Sequence, residues 1–212
     1  MNLGQWIVIG ISVFFLGWYF GANLYNRRLG LKTYRWLRKG LSVLGNIDQA
    51  GWLGSSSSGA RLQIGKPKKP FRTIETSFFL ETREILPWWA FNRLLGKREN
   101  VTIRITLHKA PIQTFVVCRE IDQAKVTQKL DQTFKKVNAA QGFCVLISGQ
   151  PDDQWIGLLN QFLESGGKLV QRIILQPQPP HCVVTAALKP LLNSPAEAFF
   201  KGVASLWSYP EN

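Results

Sequence analysis

The chain has 212 residues, 45% hydrophobic and 18% charged, with a formal net charge of +13. That length suits one domain plus an extra segment, and the composition excludes wholesale disorder. Three widely separated cysteines, Cys118, Cys144 and Cys182, show no CxxC or Cys/His spacing. They offer no disulfide framework or zinc motif and read as buried reduced thiols.

Residues 1–26 carry no charged side chain, and Leu3 to Leu24 form a run of 22 mostly apolar residues. As a helix this run covers about 33 Å, enough for a hydrocarbon core of about 30 Å. Trp6 lies near one end, and Trp18 and Tyr19 near the other, where interfacial aromatic belts fall. A signal peptide wants a positive start and a shorter apolar core. Here no Lys or Arg precedes residue 27. The expectation is a single transmembrane anchor over 1–26. Cations follow it at once: Arg27, Arg28, Lys32, Arg35, Arg38 and Lys39. The positive-inside rule then puts the N-terminus outside and the C-terminal domain in the cytoplasm. Gly17 and Gly21 form a GxxxG, with Gly10 seven residues upstream. Such a face lets two helices approach closely, so a homodimer through this helix is one reading. The competing reading is that glycine is simply frequent in membrane helices.

Residues 27–72 read as a basic juxtamembrane connector and linker. Leu29, Tyr34, Trp36, Leu37, Leu41 and Leu44 form a broken apolar face on a helix that Gly30, Gly40 and Gly45 weaken. A basic amphipathic segment beside a span suits anionic headgroups. Ser55 to Gly59 has linker composition, with ARLQIG as an alternative short edge strand. Residues 24–72 hold eleven Lys/Arg against one acid, Asp48, a net of +10. The remaining domain holds fifteen against twelve, a net of +3. Nucleic-acid binding wants cations spread over the folded domain, so this placement argues against it. A plain topology signal or lipid-headgroup contact fits better.

Residues 73–212 read as a cytoplasmic mixed α/β domain, with five or six strands and helices packed on the sheet. TIETSFFLE (73–81) is a strand. NVTIRITLH (100–108) alternates as a half-buried strand, with 112–120 as its hairpin partner. Residues 121–142 space Val126, Leu130, Phe134 and Val137 as a helix ended by Gly142. FCVLISG (143–149) is a strand buried on both faces, and a helix capped by Asp152 or Asp153 follows. Strands at 168–175 and 181–189 come next, then a helix over 194–207 with Ser194 at N-cap and Pro195 at N1. Strand–helix alternation favours parallel members joined by crossover helices.

Catalytic motifs are missing: no nucleophile elbow, P-loop, GxGxxG, HExxH or EF-hand occurs. His108 and His181 stand alone on or beside strands. Asp152 and Asp153, just past a strand, are the best polar site for an enzyme, though a helix cap is the favoured reading of them. Glu81, Arg83 and Glu84 invite ion pairs with Arg93 or Arg98. EILPWWAFNRLLGKR (84–98) is too short to cross a membrane and reads as a short helix. Trp88 and Trp89 on it are expected in the core, with an interfacial wedge or a ligand pocket as alternatives. The sequence favours a membrane-surface interaction or scaffold module with an unidentified protein partner and no cofactor. An enzyme on a membrane-associated substrate is the alternative, and a nucleic-acid-binding domain ranks lower.

Overall fold

The computed structural model describes residues 2–122, 134–139, 142–150, 153–165 and 169–207. Its first element is one helix, α1 (Leu3–Leu41), 39 residues long and unbroken at residue 26. At 1.5 Å per residue it runs about 58 Å. Its N-terminal part is long and apolar enough to cross a membrane. Of residues 3–21, only Trp18 is not exposed. Beyond them Ala22, Asn26, Gly30, Thr33, Leu37, Gly40 and Leu41 are buried. Spacings of three and four keep these on one stripe, which packs on the domain. The glycines that weaken an isolated helix are the points of closest approach. A Cβ on Gly30 would overlap the Ser56 carbonyl oxygen, and one on Gly40 the Phe200 ring. Residues 27–41 thus continue the same helix, with Leu37 and Leu41 in the main core.

Among the described residues nine strands form one sheet: β1 (Gln49–Trp52), β2 (Gly59–Ile64), β3 (Phe71–Phe79), β4 (Asn100–Leu107), β5 (Phe115–Arg119), β6 (Lys135–Asn138), β7 (Phe143–Ile147), β8 (Val170–Leu175) and β9 (Cys182–Ala187). Their order is β1-β2-β3-β4-β9-β8-β5-β7-β6, and every neighbouring pair is antiparallel. The helices are α2 (Leu86–Leu94), α3 (Asp153–Ser165), α4 (Leu188–Leu191) and α5 (Ala196–Ser205). The fold is therefore α/β, but with nine strands where five or six were expected, and with no parallel neighbours. The extra strands include β1 and β2, inside the stretch expected to be linker.

The missing parallel pairs have a simple cause. β7 and β8 are joined through α3, as the alternation implies, but β5 lies between them and is antiparallel to both. A strand–helix–strand unit with one slot left open satisfies the connection rule without parallel contact. Three local expectations also change. β4 pairs with β3 and β9, so 112–120 is not its hairpin partner; the intervening KAP lacks a tight-turn signal. Residues 135–138, expected at the end of a helix, form edge strand β6 on β7. Residues 123–133 of that expected helix lie outside the described residues. Pro195, not Ser194, holds the N-cap of α5, and the Ser194 hydroxyl donates instead to the Leu191 carbonyl.

One face of the sheet meets a helical layer. Leu62, Ile74, Phe78, Ile103, Ile105, Val117, Val145 and Val184 pack there with Leu37 and Leu41 of α1, Leu159 and Phe162 of α3, and Phe199 and Phe200 of α5. Strand alternation sends the other side chains out, where Arg61 and Arg104 both pair with Glu75. On that second face Val116, Cys118, Cys144 and Leu146 make a small separate core. β7 is buried on both faces, as its continuous apolar run implies.

All three cysteines are buried thiols. Cys118 and Cys144 face each other across β5 and β7 with their sulfurs 3.4 Å apart. Burial pushes the Cys182 thiol up, away from its reactive thiolate. Maleimide at neutral pH should label none of them in the folded chain and all three after denaturation, read by intact mass. Fast labelling of the native protein would contradict this core.

Candidate membrane-facing site

Segment 81–99, between β3 and β4, binds the middle of α1 through a buried polar cluster. Arg83 is its hub. Its Nη1 donates to Asn26 Oδ1 and to Glu99 Oε1, both at 2.6 Å. Its Nη2 lies 3.6 Å from Glu81 Oε2, and its guanidinium sits over the Tyr25 ring at 4.9 Å. Burial disfavours its charge, but the hydrogen bond to Glu99 and the charges of Glu99 and Glu81 outweigh that, so its pKa is raised. Around this hub the Asn26 amide donates to the Glu81 carbonyl at 2.9 Å and to Glu84 Oε1 at 3.3 Å. Glu81 also accepts from Trp89 Nε1 at 2.8 Å and from Arg93 at 3.3 Å. Of the two expected arginine partners, only Arg93 joins. Arg98 donates to the carbonyls of Arg93 and Lys97.

Helix α2 follows from local rules. Pro87 lies in its first turn, where a missing N–H is harmless, and Gly96 just beyond its end has φ +74°. None of its residues is buried. Ile85, Trp88, Phe91, Leu94 and Leu95 are 53–87% exposed. At 100° per residue they cover about half the helix circumference. Trp88 is thus outside the core, contrary to expectation. Trp89 is half-buried on the opposite side, its ring 5.7 Å from that of Trp18. Trp18 Nε1 donates to the Arg83 carbonyl at 2.8 Å. So α2 is clamped to α1 at residue 18, inside the apolar run.

Between the two helices lies a crevice of about 330 Å³, lined by Trp18, Gly21, Ala22, Tyr25, Trp89 and the cations Arg83, Arg93 and Lys189. Lys189, on α4, holds its Nζ 5.8 Å from the Tyr25 ring. Tyr25, Asn26, Glu99 and Lys189 were not singled out from the sequence. Asn26 at the end of a charge-free run was the one available signal. Lys189 and Glu99 carry none, because their partners are distant in sequence.

The structure places the other candidates as follows. Trp6 and Tyr19 are exposed, as are Arg27, Arg28, Lys32, Arg35, Arg38 and Lys39, which occupy the side of α1 opposite its buried stripe. Trp36 turns inward, its Nε1 donating to the Ser194 carbonyl at 2.8 Å beside Phe199 and Phe200. Gly10 and Gly17 face open space, and Gly21 opens onto the crevice. Asp152 lies outside the described residues, and Asp153 is placed only as the first residue of α3. His181 is buried and accepts the Leu107 N–H at Nδ1, a structural role.

No protein-family model matches the chain, and no curated protein matches it.

Proposed function

We propose that the chain is a single-pass membrane protein with its N-terminus outside and its α/β domain resting on the cytoplasmic surface as an interaction or scaffold module. The height of α2 carries this reading. That helix packs Trp89 against Trp18 of α1, about 9 Å before the apolar run ends at Leu24. Its bare apolar face then sits level with the headgroup boundary, where Trp and Phe anchor interfacial helices. Arg93, Lys97 and Arg98 follow that face, and Arg27, Arg28 and Lys32 flank the end of the span. Arg38 and Lys39 stand about 20 Å further along a rigid helix, beyond a screening length of about 8–10 Å. An upright α1 therefore limits anionic-lipid contact to the first few cations.

The acids of segment 81–84 serve the polar cluster, which supports the scaffold reading over an enzyme that would use Glu81 or Glu84. Glu81 is held by Trp89, Arg93 and Arg83, and Glu84 by Asn26.

Two measurements test the reading. Fusions at residue 212 report the side: green fluorescent protein should fluoresce and alkaline phosphatase should stay inactive. A nitroxide on Leu94→Cys reports the depth, since Leu94 is 87% exposed and the native thiols are buried. In vesicles it should meet lipid-soluble oxygen more readily than a water-soluble nickel chelate. The reverse preference would show α2 standing clear of the bilayer.

A further inference from the structure

We propose that the α1–α2 crevice holds one anionic phospholipid. Its phosphodiester lies against Lys189 and Arg93, and its acyl chain lies along Trp18, Gly21 and Ala22. The proposal rests on the membrane-anchored reading and adds a ligand to it.

The crevice has the polarity of such a molecule, in the same direction along the membrane normal. Its outer end is apolar: Trp18, Gly21 and Ala22 all belong to the apolar run that ends at Leu24. Its inner end is cationic: Lys189 and Arg83 both lie over Tyr25, one residue past that run. From Trp18 to Tyr25 the helix rises about 10 Å, comparable to the depth of an interfacial zone. A volume of about 330 Å³ is at the lower bound of ligand-sized pockets, so the cleft suits a headgroup and upper chain and leaves the chain tail in the bilayer.

The cations differ in what they can offer. Arg83 is committed to Asn26, Glu99 and Glu81. Arg93 shares one oxygen of Glu81 and keeps a side chain 37% exposed. Lys189 is exposed and makes no ion pair among the described residues. A phosphate at the mouth gives Lys189 an ionic partner and Arg93 a second one. Gly21 keeps the way open, because no atom lies within 4 Å of where its Cβ would stand. On this account the second glycine of GxxxG makes room for a lipid and not for a second helix.

Full-length protein in neutral detergent, offered phosphatidylglycerol or phosphatidylcholine, gives the test by native mass spectrometry. The wild type should retain one phosphatidylglycerol, favoured over phosphatidylcholine by roughly fivefold, the effect of about one juxtamembrane cation. Lys189→Gln should erase that preference. Gly21→Leu should fill the crevice and abolish retention of both lipids with its thermal midpoint unchanged. Glycerol phosphate should not displace the lipid; displacement by it would identify a free phosphate as the ligand and overturn the lipid assignment. Wild-type retention in Gly21→Leu would also overturn it. Alkaline extraction of the same proteins separates the two claims. If the wild type leaves the membrane, the anchored reading fails and the crevice proposal with it. If Gly21→Leu stays in the membrane and keeps its lipid, the crevice proposal fails alone.

Discussion

Arg83→Ala should remove about 3–5 kcal/mol of stability, read as a shift in the denaturant midpoint of the full chain. The Arg83 side chain is 9% exposed and that of Glu99 only 3%. Without Arg83, Glu99 keeps only the Glu81 backbone N–H, at 3.2 Å, and loses its counter-charge. Asn26 Oδ1 loses its donor in a fully buried position. A buried carboxylate left without its counter-charge is destabilising. Replacing both partners, Arg83→Met with Glu99→Leu, should recover much of the loss, since apolar isosteres often match a buried ion pair. A loss below about 1 kcal/mol for Arg83→Ala, the range of an exposed pair, would mean the cluster is open to solvent. The cluster ties residue 26 of α1 to the 81–99 segment, so Arg83→Ala should also loosen that segment on α1, leaving the Trp18 contacts to hold α2.

Gly30→Ala should destabilise by about 1–3 kcal/mol, the usual range for overpacking. Helix propensity alone gives the opposite sign, a gain of about 1 kcal/mol for Ala over Gly. The two expectations bracket zero, so thermal unfolding decides between them. At Gly30 the new methyl group meets a backbone carbonyl, Ser56, in the turn between β1 and β2. A carbonyl held in a turn cannot swing aside as a side chain can. Gly40→Ala should act in the same direction, because Phe200 is fully buried against it. Gly17→Ala serves as control, with open space around it. A gain in stability for Gly30→Ala would show that α1 stands off the sheet beyond residue 26.

Those glycines show how far the sequence could be read. Gly30 and Gly40 were visible as helix-weakening positions inside a basic segment. Nothing local says that a strand turn and a phenylalanine press against them, because those partners lie 26 and 160 residues away. Elements whose burial is one-sided or complete along the chain were legible: the apolar half of α1, the alternating β4, the continuous β7, and α3 and α5. Lys135–Asn138 was not. Val137 fits a helical spacing from Phe134 equally well, and lysines are normal both on a helix surface and on an edge strand. Strand order was hidden too, since β4 finds β9 and β5 finds β8 across long stretches of chain. The Trp88–Trp89 pair was ambiguous for a different reason. Adjacent residues on a helix point about 100° apart, so one tryptophan faces Trp18 while the other faces outward.

On the proposed anchoring, the unbroken run of α1 would make the domain a lever on the bilayer. With no joint between span and domain, any tilt of the span is transmitted whole. Membrane helices tilt by about 20° on average. Over the about 25 Å from Leu24 to Leu41, that swings the inner end sideways by about 9 Å. A thicker or thinner membrane would then reset the tilt and press α2, on one flank of the lever, into the surface or lift it away. On that anchoring, hydrocarbon thickness would be converted into the attitude of the β-sheet at the membrane surface.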